Sequence, residues 1–102
     1  MMAQRNIRVP KKDLAEFCQR NNIVRLSFFG SVLNDSFGPN SDVDVLVEFA
    51  PGHTPGFDYI RIQDELSQLL GGRPVDMVTP KFLNKHIREK VLTEAVLQYA
   101  QR

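Results

Sequence analysis

Apolar residues recur at helical spacing in three stretches of the chain and at strand spacing in three others. Leu14, Phe17 and Cys18 stand at i, i+3 and i+4 behind Pro10, which predicts a helix from Pro10 to about Asn21, proline being suited to a first helical turn. Ile23 to Phe29 is rich in β-branched and aromatic residues and stops at Gly30, the mark of a strand. Ser31 to Asp35 has room for one helical turn, and Asn34 to Ser41, with Gly38, Pro39 and Asn40, reads as a turn cluster. A second strand follows at Val43 to Phe49, then an irregular loop at Pro51 to Gly56. From Asp58 to Leu70, Tyr59, Ile62, Leu66, Leu69 and Leu70 share one helical face, and Gly71-Gly72 closes that helix. Pro74 to Thr79 is a third strand; Thr79 and Pro80 then open a last helix with Leu83, Ile87, Val91 and Ala95 along its stripe.

The expected order is α-β-(short α)-β-α-β-α, an α/β (α+β) fold with a small mixed three-stranded sheet and flanking helices. The link between the first two strands is too short for a crossover, so they run antiparallel; the second and third, joined through a helix, can be parallel. The 102 residues suit one domain, 1–102, and no repeat or linker interrupts it.

Composition narrows the class. The chain is 42% hydrophobic and 25% charged, which excludes a disordered tail. No apolar run approaches the ~20 residues of a membrane span, and the N-terminus lacks an apolar signal core, so a cytoplasmic protein without a membrane partner is expected. Cys18 is the sole cysteine and reads as core packing. A net charge of +1 gives little reason to expect a nucleic-acid partner. Its distribution is more telling. Between Arg25 and Arg61 there is no Lys or Arg, yet Asp35, Asp42, Asp44, Glu48 and Asp58 all fall there, flanked by basic clusters at Arg5, Arg8, Lys11 and Lys12 and at Lys81, Lys85, Arg88 and Lys90.

That acidic middle contains a defined pattern: Gly30-Ser31, ten residues, then Asp42-Val43-Asp44. Strand alternation puts Asp42 and Asp44 on one face, their roots roughly 7 Å apart, with Val43, Val45 and Val47 facing the core. Two such carboxylates repel unless a cation lies between them, and a hard divalent ion, Mg²⁺ above all, fits oxygen ligands. Asp76 is the polar member of the third strand; with that strand parallel to the second, it joins the pair at one sheet edge. Three carboxylates can hold two ions roughly 4 Å apart, the arrangement that clamps the attacking and leaving oxygens in phosphoryl transfer. The first strand, antiparallel to the second, ends at the same edge, where Gly30 lets the backbone approach a ligand and Ser31 adds a phosphate contact. Taken singly, each of these features is an ordinary turn or strand entry. The four-residue pattern at fixed spacing arises by chance in roughly one chain in a thousand.

These residues resemble the minimal nucleotidyltransferases of the polymerase-beta-type superfamily, the MNT proteins that accompany HEPN-domain partners. The likeness runs from the first strand through SDVDVLVEF (41–49), PGHTPG (51–56) and PVDMVTP (74–80) to the last helix. It implies a three-stranded mixed-sheet core, ATP as donor with two Mg²⁺ ions, and AMP transfer. It further implies an antitoxin of a type VII-like pair that attaches AMP to a tyrosine of a HEPN toxin. Asp42, Asp44 and Asp76 then match the metal ligands and catalytic carboxylates, with Asp76 suited to act as general base, and Gly30, Ser31 and Ser41 the nucleotide-binding set. One departure stands out. Many relatives carry an arginine shortly after the Gly-Ser pair, but Val32-Leu33-Asn34-Asp35-Ser36 has no base; Arg73, Lys81 and Lys85 are the candidates to supply that charge from elsewhere in the chain.

A binding module that neutralises its partner by contact alone is the alternative, as is a nucleotidyltransferase with a nucleic-acid or small-molecule acceptor. Homo- and hetero-oligomers are both compatible with the sequence. His53 in the 51–56 loop and His86 on the last helix read as solvated.

Overall fold

The computed structural model describes residues 7–34, 37–38 and 40–101. Asp35, Ser36 and Pro39 of the expected turn, and Arg5 of the first basic cluster, lie outside the described residues.

Helix α1 spans Lys11–Arg20 with Pro10 immediately before it, and buries Leu14, Phe17 and Cys18. Asn21 then donates its side-chain amide to the Phe17 carbonyl at 2.9 Å. Asn22, at φ +60°, turns the chain into β1 (Ile23–Phe29); asparagine tolerates that left-handed conformation better than most residues. β1 is followed by a 3₁₀ turn at Gly30–Leu33 and, after the loop, by β2 (Val43–Phe49). Helix α2 (Asp58–Leu69) ends in Gly71 and Gly72, at φ +86° and +85°, and the Gly72 amide returns to the Ser67 carbonyl at 2.8 Å. The positive φ values explain the glycine pair. β3 (Val75–Val78) lies parallel to β2, and β1 is antiparallel to it.

The C-terminal third departs from the expected pattern. In place of one helix from Pro80, a 3₁₀ turn at Pro80–Phe82 is followed by α3 at Lys85–Glu94. Asn84 is the cap, its Oδ1 accepting from the Ile87 amide at 3.0 Å, whereas Thr79 makes no side-chain cap bond. Of the expected stripe only Val91 is buried; Ile87 is half exposed. The chain then extends at Ala95 into β4 (Val96–Ala100), antiparallel to β1. The sheet therefore has four strands in the order β3-β2-β1-β4, not three. The reason is β1 itself, whose Leu26, Ser27 and Phe28 are buried in succession. A strand buried on both faces needs partners for its backbone on both edges.

Directly paired residues share a face. Leu26, Phe28, Val43, Val45, Val47 and Met77 point toward the core, where Leu14 and Phe17 of α1 and Ile62 and Leu66 of α2 close over them. Val43, Val45 and Val47 have no solvent exposure at all. Asp44 and Asp76 belong to the opposite face, which α1 and α2 leave open. Burial pushes the Cys18 thiol up to about 12, so it is packing and not a nucleophile. No helix among the described residues is long and apolar enough to cross a membrane.

Candidate active site

The parallel register sets Asp44 directly beside Asp76, and the antiparallel register sets Phe29, the last residue of β1, beside Asp44. Three strands thus deliver the Gly30 bend and two carboxylates to one edge. Burial, then the charges of Asp76 and of Asp42, raise the Asp44 carboxyl above its ordinary value. Asp44, which is half-buried, therefore senses both of its acidic neighbours, while Asp42 and Asp76 are exposed.

Gly30 is fitted against this group. At φ +78°, a Cβ on it would stand 2.3 Å from Oδ2 and 3.2 Å from Cγ of Asp44. Only the absence of a side chain lets the bend approach the carboxylate, which makes a cradle rather than a casual turn. Ser31 is half-buried in the 3₁₀ turn, its carbonyl accepting from the Asn34 amide at 3.0 Å. Ser41 closes the turn before Asp42: its hydroxyl oxygen accepts from the Gly38 amide at 3.0 Å, and its own amide donates to the Gly38 carbonyl at 3.1 Å.

Among the described residues, no three His, Cys, Asp or Glu groups converge closely enough to chelate one ion as they stand. The donor set, all carboxylate oxygen, fits a hard divalent ion.

Cations are placed unevenly. Arg73, on the approach to β3, stacks its guanidinium 4.5 Å above the Phe37 ring and donates to the Gly38 carbonyl at 3.1 Å, pinning the turn that leads to Asp42. Lys81 lines a cavity with Glu48 and Phe49 at the far end of β2, away from the acids, and Lys85 is exposed on the first turn of α3. The 51–56 loop with His53 follows β2 at that same far end, where Thr54 lines the cavity. Exposure of His53 and His86 agrees with solvated histidines.

Sequence reasoning missed the support of β3. Tyr59 donates its hydroxyl to the Met77 carbonyl, and Gln63, one turn on, accepts from the Met77 amide at 2.9 Å. Two side chains of α2 thereby occupy the backbone groups that this edge strand turns away from β2, next to Asp76. Burial and the Asp76 charge raise the Tyr59 hydroxyl above its usual value. Tyr59 and Ile62 begin the apolar face of α2, but nothing in that pattern marks Tyr59 or Gln63 as a partner of β3.

The nucleotidyltransferase domain family model matches residues 11–98, nearly the whole chain. A Methanocaldococcus jannaschii protein named for protein adenylyltransferase activity is 32% identical over 89% of this chain and 96% of its own length. Protein adenylyltransferase MntA of Thermococcus cleftensis is 36% identical over 84% of this chain and 82% of its own. Among solved structures, one described as a minimal nucleotidyltransferase superposes with a TM-score of 0.70 at 37% identity, covering 84% of this chain and 86% of that one. An AMPylated Shewanella oneidensis HEPN toxin in complex with MNT antitoxin superposes with a TM-score of 0.63 over 89% of this chain and 70% of that one; at 17% identity this likeness speaks for the fold alone. By its sequence and by its sheet, this chain belongs to the nucleotidyltransferase domain family, in its minimal form.

Proposed function

We propose that this chain transfers AMP from ATP to a tyrosine hydroxyl of a HEPN-domain toxin in the cytoplasm, and so acts as its antitoxin. The observation that carries the reading is the placement of Asp44 beside Asp76, under the charge of Asp42, with Gly30 pressed against its carboxylate. Support for the acceptor comes from relatives: the MntA protein is named as a protein adenylyltransferase, and the HEPN toxin in the Shewanella oneidensis complex is AMPylated.

In this reading Asp42, Asp44 and Asp76 hold Mg²⁺, two ions by the carboxylate count. Bound there, the metal supplies charge neutralisation for the triphosphate and for the transition state. Asp76, at the exposed rim, takes the proton of the acceptor hydroxyl. The acceptor oxygen forms a bond to the α-phosphorus while the bond from that phosphorus to the pyrophosphate oxygen breaks. AMP stays on the partner and pyrophosphate leaves. Gly30 and Ser31 position the phosphates, and Ser41, whose oxygen already accepts from Gly38, keeps its hydroxyl proton to donate.

The test is intact mass measurement of a HEPN partner incubated with the chain, ATP and Mg²⁺. An AMP-sized increment that requires all three, maps to a tyrosine and disappears with Asp42→Ala plus Asp44→Ala is expected. An increment that survives in the double variant sinks the assignment of these carboxylates. Neutralisation of the toxin with no increment favours the contact-only module, a reading that the base-free stretch after Ser31 keeps in view.

A further inference from the structure

A polyphosphate held at Asp44 must leave the carboxylates along some path, and the groups on that path decide what grips it. Gly30 belongs to two surfaces at once. A Cβ on it would meet Asp44, and the same residue lines a cleft of about 540 Å³ formed by the Phe29–Asn34 bend and α3. That volume lies within the range of small-ligand sites. From α3 the cleft receives Lys90, Val91 and Glu94. Val91 is the one buried residue of α3 among those described, so it fixes the rotation of the helix about its axis. Lys90, exposed and next to that anchor, lines the cleft together with the bend.

We propose that Lys90 is the phosphate-gripping cation of this chain, binding the outer phosphates of the nucleotide in the cleft between α3 and the bend. The assignment rests on the adenylyltransferase reading above and adds to it the residue that does what a base after the Gly-Ser pair would otherwise do. Position decides among the cations. Lys81 lies at the far end of β2, and the Arg73 guanidinium is engaged with Gly38 and Phe37 at the turn. Lys90 alone of these three shares a cleft with Gly30 and Ser31. Glu94, one turn beyond Lys90, faces the same cleft and repels phosphate. The local field therefore has opposite signs at two positions of one helix, which supplies an internal control.

Binding of ATP and of AMP, each with Mg²⁺, is measured by titration calorimetry for the wild type, Lys90→Gln, Lys90→Arg and Glu94→Gln. Lys90 is exposed, so its substitution leaves the fold intact, which thermal unfolding checks. Loss of a charge-assisted phosphate bond weakens ATP by roughly tenfold or more. AMP, which lacks the outer phosphates, is expected to change far less, Lys90→Arg to keep ATP binding, and Glu94→Gln to keep or strengthen it. Lys90→Gln binding ATP like the wild type overturns the assignment, and so does an equal loss for ATP and AMP. If the wild type binds ATP while Lys90→Gln is unaffected, the adenylyltransferase reading stands and only Lys90 falls. A wild type that binds no nucleotide removes both.

Discussion

Alanine at position 30 would carry its Cβ 2.3 Å from Oδ2 of Asp44, far inside contact distance, on a backbone at φ +78°. Two separable penalties follow. A left-handed backbone disfavours any side chain by about 1–2 kcal/mol. The carboxylate must also swing away, and an off-rotamer side chain costs about 0.5–1.5 kcal/mol more. Together these lower the melting temperature by roughly 10 °C in a domain of this size. Activity should fall further than stability. A displacement of the reacting groups by about 1 Å lowers turnover roughly 100-fold, and Asp44 has to move by about that much to admit the methyl group. Gly52 is the matched control. It lies at φ +80° with nothing within 4 Å of its virtual Cβ, so Gly52→Ala carries the backbone penalty without the clash. Thermal unfolding and AMP incorporation on a HEPN partner, measured for both variants, separate the two contributions. In an Asp44→Ala background the extra stability loss from Gly30→Ala should shrink, since the contact is gone. Gly30→Ala with wild-type transfer, or a pair of variants that behave alike in both assays, refutes the close fit of the bend to the carboxylate.

Asp44→Asn should abolish transfer and also change the pH dependence of stability in the absence of divalent ions. The folded carboxyl is raised above its unfolded value, so its contribution is present below the unfolded value and lost as pH rises through the folded one; melting curves in chelator across the acid-to-neutral range should show that loss in the wild type and not in the variant. Tyr59→Phe deletes the bond to the Met77 carbonyl and should cost about 1 kcal/mol in urea unfolding, with transfer slowed because Asp76 adjoins Met77. An unchanged midpoint would remove Tyr59 from the support of β3. Asn84→Ala removes the cap of α3 and should cost about 1 kcal/mol, read by the same urea titration.

Period and punctuation in the chain were enough for much of the architecture. The alternation of Val43, Val45 and Val47 with Asp42 and Asp44 settles which side of β2 is core, because strand side chains alternate faces whatever surrounds them. The stripe of Leu14, Phe17 and Cys18, and the glycine pair after α2, mark their helix and helix end for equally local reasons. The short link then leaves β1 and β2 one choice of direction, and the helical link makes a parallel β2–β3 pair possible. Such features depend on residues within a few positions of one another, and a single sequence displays them directly.

Contacts between distant segments were a different matter. Val-Leu-Gln-Tyr-Ala at the end of the chain reads equally well as the tail of a helix, and only the open edge of β1 makes it β4. Tyr59 and Gln63 look like ordinary helix positions until β3 is laid beside them. Gly30 announces a turn, but its intimacy with Asp44 depends on the register of β1 against β2. Lys90 belongs to a basic run with no local feature to single it out, and it shares a cleft with the bend only because α3 packs there. Short-range geometry is written residue by residue, whereas which far-apart residues meet is chosen by the free energy of the whole packed chain.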